Sequence, residues 1–229
     1  MLLCLVGSEM CIRDSYTSMS DAKVQVAKKA FEEMAPQINK ESILGIGTGS
    51  TVNCFIEILK QSNIQFKGAV SSSEASTLLL QEFNVEIFSL NDVNEIQFYI
   101  DGADEVDPSH NLIKGGGGAH TREKLVASAS NQFICIVDQS KHVECLGDFG
   151  VPVEVLIESR SFVSREIVKL GGVPTYRSGV ITDQNNHIID VSKLDLSNPK
   201  DMEIQINSIP GVVENGIFAI RKPNKVLTA

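Results

Sequence analysis

Apolar positions between residues 24 and 34 recur near the spacing of one helix face: Val24, Val26, Ala27, Ala30, Phe31 and Met34, with Pro36 closing the run. Ser20 or Asp21 is suited to cap that helix. Residues 42–46 form a short apolar run ending in glycines, the pattern of a strand buried in a parallel sheet. Val52, Phe55, Ile56 and Leu59 predict a helix over 50–60. The alternation continues with a strand at 68–70, a helix at 75–83, strands at 85–88 and 97–100, and a helix at 121–130. Residues 133–137 give the clearest strand of all. Strands separated by helices predict βαβ units with right-handed crossovers, hence a Rossmann-like, mostly parallel sheet.

The pattern shifts at residues 149–152. A strand over 153–157, a helix over 161–170, two strands around the polar turn 183–186, a helix near 202–209 and a strand over 216–220 follow. That β-α-β-β-α-β order suits a small ferredoxin-like α+β domain. The expected fold is therefore α/β, with a Rossmann-like sheet domain over 19–150 and a smaller domain over 151–224. Residues 1–18 do not match the rest. Their apolar run, 2–6, is too short for a signal-peptide core and has no basic residues before it. Met19 is expected to be the natural start, with 1–18 a non-native or disordered leader.

Composition narrows the function. A net charge of -9 argues against a nucleic-acid surface, and the lack of Trp with 6% aromatics argues against base-stacking platforms. No stretch approaches the roughly 18 apolar residues of a membrane span. The cysteines (Cys4, Cys11, Cys54, Cys135 and Cys145) are odd in number and form no C-x-x-C pair, so neither a disulfide frame nor a zinc site is indicated. A reducing cytosol fits. A small phosphorylated substrate, needing only a few local donors, stays open.

In an open parallel sheet, ligands bind beyond the carboxyl ends of the strands, and four unusual loops fall there. Residues 45–51 combine glycines, which let a backbone approach an anion, with Thr48, Ser50 and Thr51 at a helix N-terminus. This is a phosphate or polyol cradle, or a tight turn only. A dinucleotide fingerprint fails because Ser50 holds the third glycine's place. Residues 71–77 are a run of hydroxyls, of which capping explains one or two and sugar contacts could use the rest. Residues 101–107 hold Asp101, Asp104, Glu105 and Asp107, which repel one another unless a cation or a proton intervenes. A divalent metal or a solvated turn are the alternatives. Finally, Lys114 enters four consecutive glycines, 115–118, and Glu123 follows in the next helix. Such a run is costly to order and marks a mobile or ligand-hugging loop. Glu123 and Lys114 make a base and an electrophile, with Glu123 as a plain dipole partner and His120 as a rival base the alternatives.

These blocks together (GTGST at 47–51, SSSEAST at 71–77, DGADEVD at 101–107 and KGGGGAHTREK at 114–124) resemble type A ribose-5-phosphate isomerase. So do DQSK at 138–141, PVEV at 152–155, KLGG at 169–172 and IPGVV at 209–213. The resemblance runs in order from about Asp21 to the end. It implies interconversion of D-ribose 5-phosphate and D-ribulose 5-phosphate in the pentose phosphate pathway, without metal or organic cofactor, by a cytoplasmic homodimer or homotetramer. It assigns the general base to Glu123 and gives Asp101, Asp104 and Lys114 catalytic parts beside it. Substrate binding falls to Thr48, Gly49, Ser50 and Thr51, to Asp101, Gly102, Ala103 and Asp104, to Lys114, Gly115, Gly116 and Gly117, and to Lys141. Relatives usually run several residues past Ala229, in a strand returning to the first domain, and 225–229 is expected to rejoin the sheet domain. A non-catalytic sugar-phosphate sensor is the rival from another class, disfavoured because no basic stripe or helix-turn-helix precedes the sheet. A nicotinamide-dependent oxidoreductase is disfavoured by the broken fingerprint.

Overall fold

Short apolar runs alternating with helices set out most of the first half of the chain. The computed structural model describes residues 8–229, with side chains from residue 21 onward. In order these are α1 (Ser8–Met34), β1 (Ile43–Ile46), α2 (Ser50–Gln61), β2 (Gly68–Ser71), α3 (Glu74–Glu82), β3 (Ile96–Asp101), β4 (Glu105–Val106), β5 (Leu112–Ile113), α4 (His120–Ala129) and β6 (Ser130–Val137). The second half adds β7 (Val151–Val155), α5 (Arg160–Lys169), β8 (Val173–Tyr176), β9 (His187–Ser192), α6 (Pro199–Asn207), β10 (Val212–Asn215), β11 (Ile217–Phe218) and β12 (Lys225–Thr228).

Five strands form one parallel sheet in the order β12-β6-β3-β1-β2. The chain leaves β1 toward β2 on one side and later returns to β3 on the other, so the strand order reverses between β1 and β3. A crevice opens at such a reversal. One face of the sheet packs Leu44, Ile46, Phe98, Ile100 and Ile134 against α1 and α2, and the other packs Tyr99, Phe133 and Cys135 against Val126 and Ala127 of α4. This alternation along β3 and β6 is the period-two pattern of a strand covered on both sides. Beyond it, β7 to β10 form an antiparallel sheet in the order β10-β7-β9-β8, the ferredoxin-like arrangement, whose core gathers Val153, Val155, Ile189, Val163, Ile167 and Ile206. A small third sheet, β11-β5-β4, lies against the other two.

Three expectations are corrected. Residues 85–88 make no strand; Ala69 bridges Ile87 alone, and the chain then turns into a short 3-10 helix at Leu90–Asp92. The last strand of the antiparallel sheet is Val212–Asn215, not 216–220. Gly216 breaks away, donating to the Pro152 carbonyl at 2.7 Å, and Ile217 and Phe218 pair with β5 instead. The first helix begins at Ser8 instead of Ser20 or Asp21, because residues 8–19 hold no Pro or Gly to stop it. Residues 1–7 of the expected leader lie outside the described residues. Among the described residues no helix is long and apolar enough to cross a membrane.

The halves are bolted together by Lys124 of α4. Its buried ammonium lies 2.9 Å from both Glu203 Oε1 and Glu214 Oε1, and donates to the carbonyls of Asn215 and Ile217 at 2.7 Å each. Glu203 is itself 2% exposed, so losing the cation strands a buried carboxylate. Lys124→Ala is expected to lower the unfolding free energy by about 3–5 kcal/mol, read from the urea midpoint at constant slope.

Candidate active site

The crevice collects the loops that leave β1, β3 and β6. From β1 the chain passes through Gly47, where a Cβ would sit 2.1 Å from the Asp101 carboxyl group; no side chain fits. That close approach lets the Thr48 N–H donate to Asp101 Oδ1 at 3.0 Å. The Gly102 N–H donates to the same oxygen at 2.7 Å, and the Tyr99 hydroxyl donates to Oδ2. Lys114, arriving from β5, sets its ammonium 2.8 Å from Asp101 Oδ2 and donates to the Gly102 carbonyl at 2.6 Å. Its own N–H is held by the Gly216 carbonyl at 2.9 Å.

Glu123, in the first turn of α4, brings Oε2 to 3.3 Å from the same ammonium. The pair attract, yet Oε2 has no hydrogen-bond partner among the described residues. One buried cation thus faces two buried carboxylates. Burial opposes the charge on Lys114, but Asp101 and then Glu123 outweigh it and hold the ammonium above the ordinary lysine value. Burial pushes Glu123 up to about 8; Lys114 opposes the rise and Asp101 adds to it. The Tyr99 phenol is raised well above its usual value, by burial first and by Asp101 second. The Cys135 thiol, pushed up to about 12 mainly by burial, is no nucleophile.

Above this triad lies a cleft of about 270 Å³. Thr48, Gly49, Ser50, Thr51, Gly102, Ala103, Asp104, Lys114, Gly115, Gly116, Gly117, Glu123 and Lys141 all line it. Asp101 does not: it is fully buried beneath the floor. The cleft also takes Lys23, whose ammonium lies 2.9 Å from Ser50 Oγ, and Asp138 and Ser140 beside Lys141. Lys23 was not legible as a site residue, since a lysine on an amphipathic helix reads as solvated surface. A larger hollow of about 590 Å³ between α2, α3 and the edge strand β2 contains none of these groups.

The remaining loop expectations divide. In the hydroxyl run, Ser73 caps α3, Ser76 donates to the Gly47 carbonyl at 2.6 Å, and Ser72 lies 3.2 Å from Thr48 Oγ1. These groups brace the first loop from behind instead of facing the cleft. The four acids of residues 101–107 splay apart. Asp104 accepts from the Gly116 N–H at 2.8 Å, Glu105 from the N–H groups of Gly147 and Phe149, and Asp107 from Ser109 and Asn111. Among the described residues, no three His, Cys, Asp or Glu side chains gather as a metal ion would need. His120 is fully buried, not at the surface, and lies outside the cleft lining. Burial and the nearby Lys124 lower it to about 3, so the ring is neutral.

The fold is that of an α/β enzyme, with its cleft where the strand order of the parallel sheet reverses. Residues 68–229 match the family model for ribose 5-phosphate isomerase A (phosphoriboisomerase A), and the chain belongs to that family. It is similar to ribose 5 phosphate isomerase A from Neisseria gonorrhoeae, at 46% identity over 90% of this chain and 92% of that one, with a TM-score of 0.85. It is also similar to ribose 5-phosphate isomerase A from Methanocaldococcus jannaschii, at 37% identity over 91% and 94%, TM-score 0.83. A D-ribose-5-phosphate isomerase in complex with phospho-erythronic acid matches at 38% identity over 90% and 93%, TM-score 0.82.

The shared cation makes a titration prediction. In the free protein the Glu123 carboxyl should titrate near 8, followed by carbon-13 NMR of labelled glutamate with Glu123→Gln for assignment. Because Lys114 lowers this value, Lys114→Gln should move the midpoint higher; a fall would mean that the ammonium is not what opposes the rise.

Proposed function

We propose that this cleft interconverts D-ribose 5-phosphate and D-ribulose 5-phosphate through an enediolate, as a step of the pentose phosphate pathway, with Glu123 as the general base. The reaction moves one proton between neighbouring carbons and needs a base that can both take it and return it. A carboxyl group near 8 fits both halves, since a base matched to the working pH gives the proton back readily. The observation that carries the reading is the Lys114–Glu123 contact at 3.3 Å on the cleft wall, with Glu123 Oε2 otherwise unpartnered.

The other roles follow from charge. As the C2 proton leaves the aldose, negative charge grows on the C1 oxygen, and in the reverse direction on the C2 oxygen, where the Lys114 ammonium and a polyglycine N–H offset it. Asp104 spends one oxygen on the Gly116 N–H and keeps the other for hydroxyl protons during ring opening. Asp101 works from below, holding Lys114 in place. Lys23, Lys141 and the N-terminus of α2, with Ser50 and Thr51, suit the phosphate. A phospho-sugar acid, the compound bound by one relative, carries a planar carboxylate where the enediolate has its two oxygens, and should fit here for that reason.

Glu123→Gln should lower kcat by about 10²–10⁴ while phospho-erythronic acid still binds within a few-fold of the parent. Solvent deuterium should enter the sugar at the reacting carbons with the parent protein and not with the variant. Turnover should survive EDTA. Unchanged turnover in Glu123→Gln would take this residue out of the base role.

A further inference from the structure

The polyglycine wall raises a question that its own residues do not answer: what keeps four adjacent glycines in one conformation. Gly115 and Gly118 have φ of +103° and +81°, and the Gly118 N–H closes a turn onto the Gly115 carbonyl at 2.9 Å. One turn bond is little restraint for residues with such backbone freedom. The further restraint comes from the antiparallel sheet. Arg177 follows β8 and directs Nη1 to the Gly115 carbonyl at 3.0 Å and the Gly116 carbonyl at 3.1 Å. Its Nε and Nη2 lie on the two oxygens of Asp190 in β9, Nε at 2.8 Å. The hairpin's own register sets this fork, because the Arg177 N–H bonds the Ile188 carbonyl and Asp190 stands two residues further along the same strand face.

We propose that Arg177 is a positioning residue of the isomerase site, orienting the polyglycine N–H groups by holding their carbonyls from outside. In a trans peptide the C=O and the N–H point in opposite directions. The Gly115 carbonyl shares its peptide with the Gly116 N–H, and the Gly116 carbonyl shares its peptide with the Gly117 N–H. Drawing both carbonyls toward Arg177 therefore turns both N–H groups the other way. The first of them meets Asp104 Oδ2 at 2.8 Å. The second has no hydrogen-bond partner among the described residues and belongs to a glycine of the cleft wall, where a substrate oxygen can take it. Arg177 itself is outside the cleft lining. A lysine could not replace it, for a single ammonium cannot serve two carbonyls and grip a carboxylate with two parallel bonds.

The proposal rests on the isomerase reading for its effect on turnover, so the test has one arm that does not. In Arg177→Ala, hydrogen exchange at the Gly116 amide should quicken at least tenfold as its bond to Asp104 loosens, whatever the reaction is. In assays with ribose 5-phosphate, Arg177→Ala and Arg177→Lys should lose at least tenfold in kcat/KM, and Asp190→Asn less. The double variant Arg177→Ala with Asp190→Asn should be no worse than Arg177→Ala alone. Guanidinium ion at millimolar concentration should restore part of the Arg177→Ala rate, while ammonium should not. Melting temperatures measured alongside separate loss of fold from loss of aim; if Arg177→Ala does not fold, Arg177→Lys and Asp190→Asn carry the same readouts. An inactive parent protein with a quickened Gly116 amide would sink the isomerase reading and leave the loop's anchor standing. Folded variants within threefold of the parent in both kcat/KM and Gly116 exchange would overturn the role given to Arg177.

Discussion

A single ammonium buried between two carboxylates governs the design of this site. Taking Lys114, Asp101 and Glu123 out of water costs several kcal/mol for each ion before any attraction is counted. The fold meets that cost unevenly. Asp101 receives Lys114 at 2.8 Å together with the Tyr99 hydroxyl and two backbone N–H groups, whereas Glu123 receives, among the described residues, only the same ammonium at 3.3 Å. A better-satisfied Glu123 would be a weaker base. The imbalance leaves Glu123 Oε2 without a hydrogen-bond partner among the described residues, which is what the proposed proton transfer from carbon requires.

Three separate segments must agree to within a fraction of an ångström for this to hold, and the antiparallel sheet enforces the agreement. Asp101 ends β3, in the middle of the parallel sheet. Lys114 is fixed through its backbone by Gly216, between β10 and β11. Glu123 rides on α4, whose first turn is tied down when Thr121 donates to the fully buried Glu154 of β7; that carboxylate also accepts from Thr182 and Asn186. Lys124, next in sequence, anchors the same helix to α6 and β10. Arg122 reaches Glu74 and Asp183 across the outside, where solvent screening leaves little energy in the contact. The buried ties hold the helix, and the exposed one only guides it.

Much of this was legible in the sequence because burial on both faces makes a parallel strand apolar without interruption. Residues 42–46, 97–100 and 133–137 stand out for that reason, and the loops after them stand out by their glycines and acids. Strands of two residues leave no such trace: β4, β5 and β11 exist through pairing with one another, so only tertiary structure reveals them. Residues 85–88 carry the apolar content of a strand but meet the sheet at its edge, through one bridge. Among site residues, composition exposes a group but not its direction. The hydroxyls of 71–77 look like sugar ligands and turn out to brace the first loop, and Asp101 looks like a wall residue and lies under the floor. Lys23 and Arg177 were invisible for a common reason: each reaches the site from a distant element, and nothing near it in sequence marks the destination.

The charge distribution would let so acidic a chain receive the proposed anionic substrate. The net charge is -9, yet Lys23, Lys114 and Lys141 all border one cleft. Acids elsewhere on the surface repel a phosphate broadly, so the local cationic field selects where it enters. That selection also divides the work within the cleft. In the proposed reaction, phosphate binding energy would arise at Lys23, Lys141 and the α2 N-terminus, away from the carbons that react. Such uniform binding serves catalysis only when it holds the reacting end against groups that respond to developing charge. In the proposed reaction those groups are Lys114, the polyglycine N–H donors and Glu123, and they could be few because the other end of the substrate would already fix where it lies.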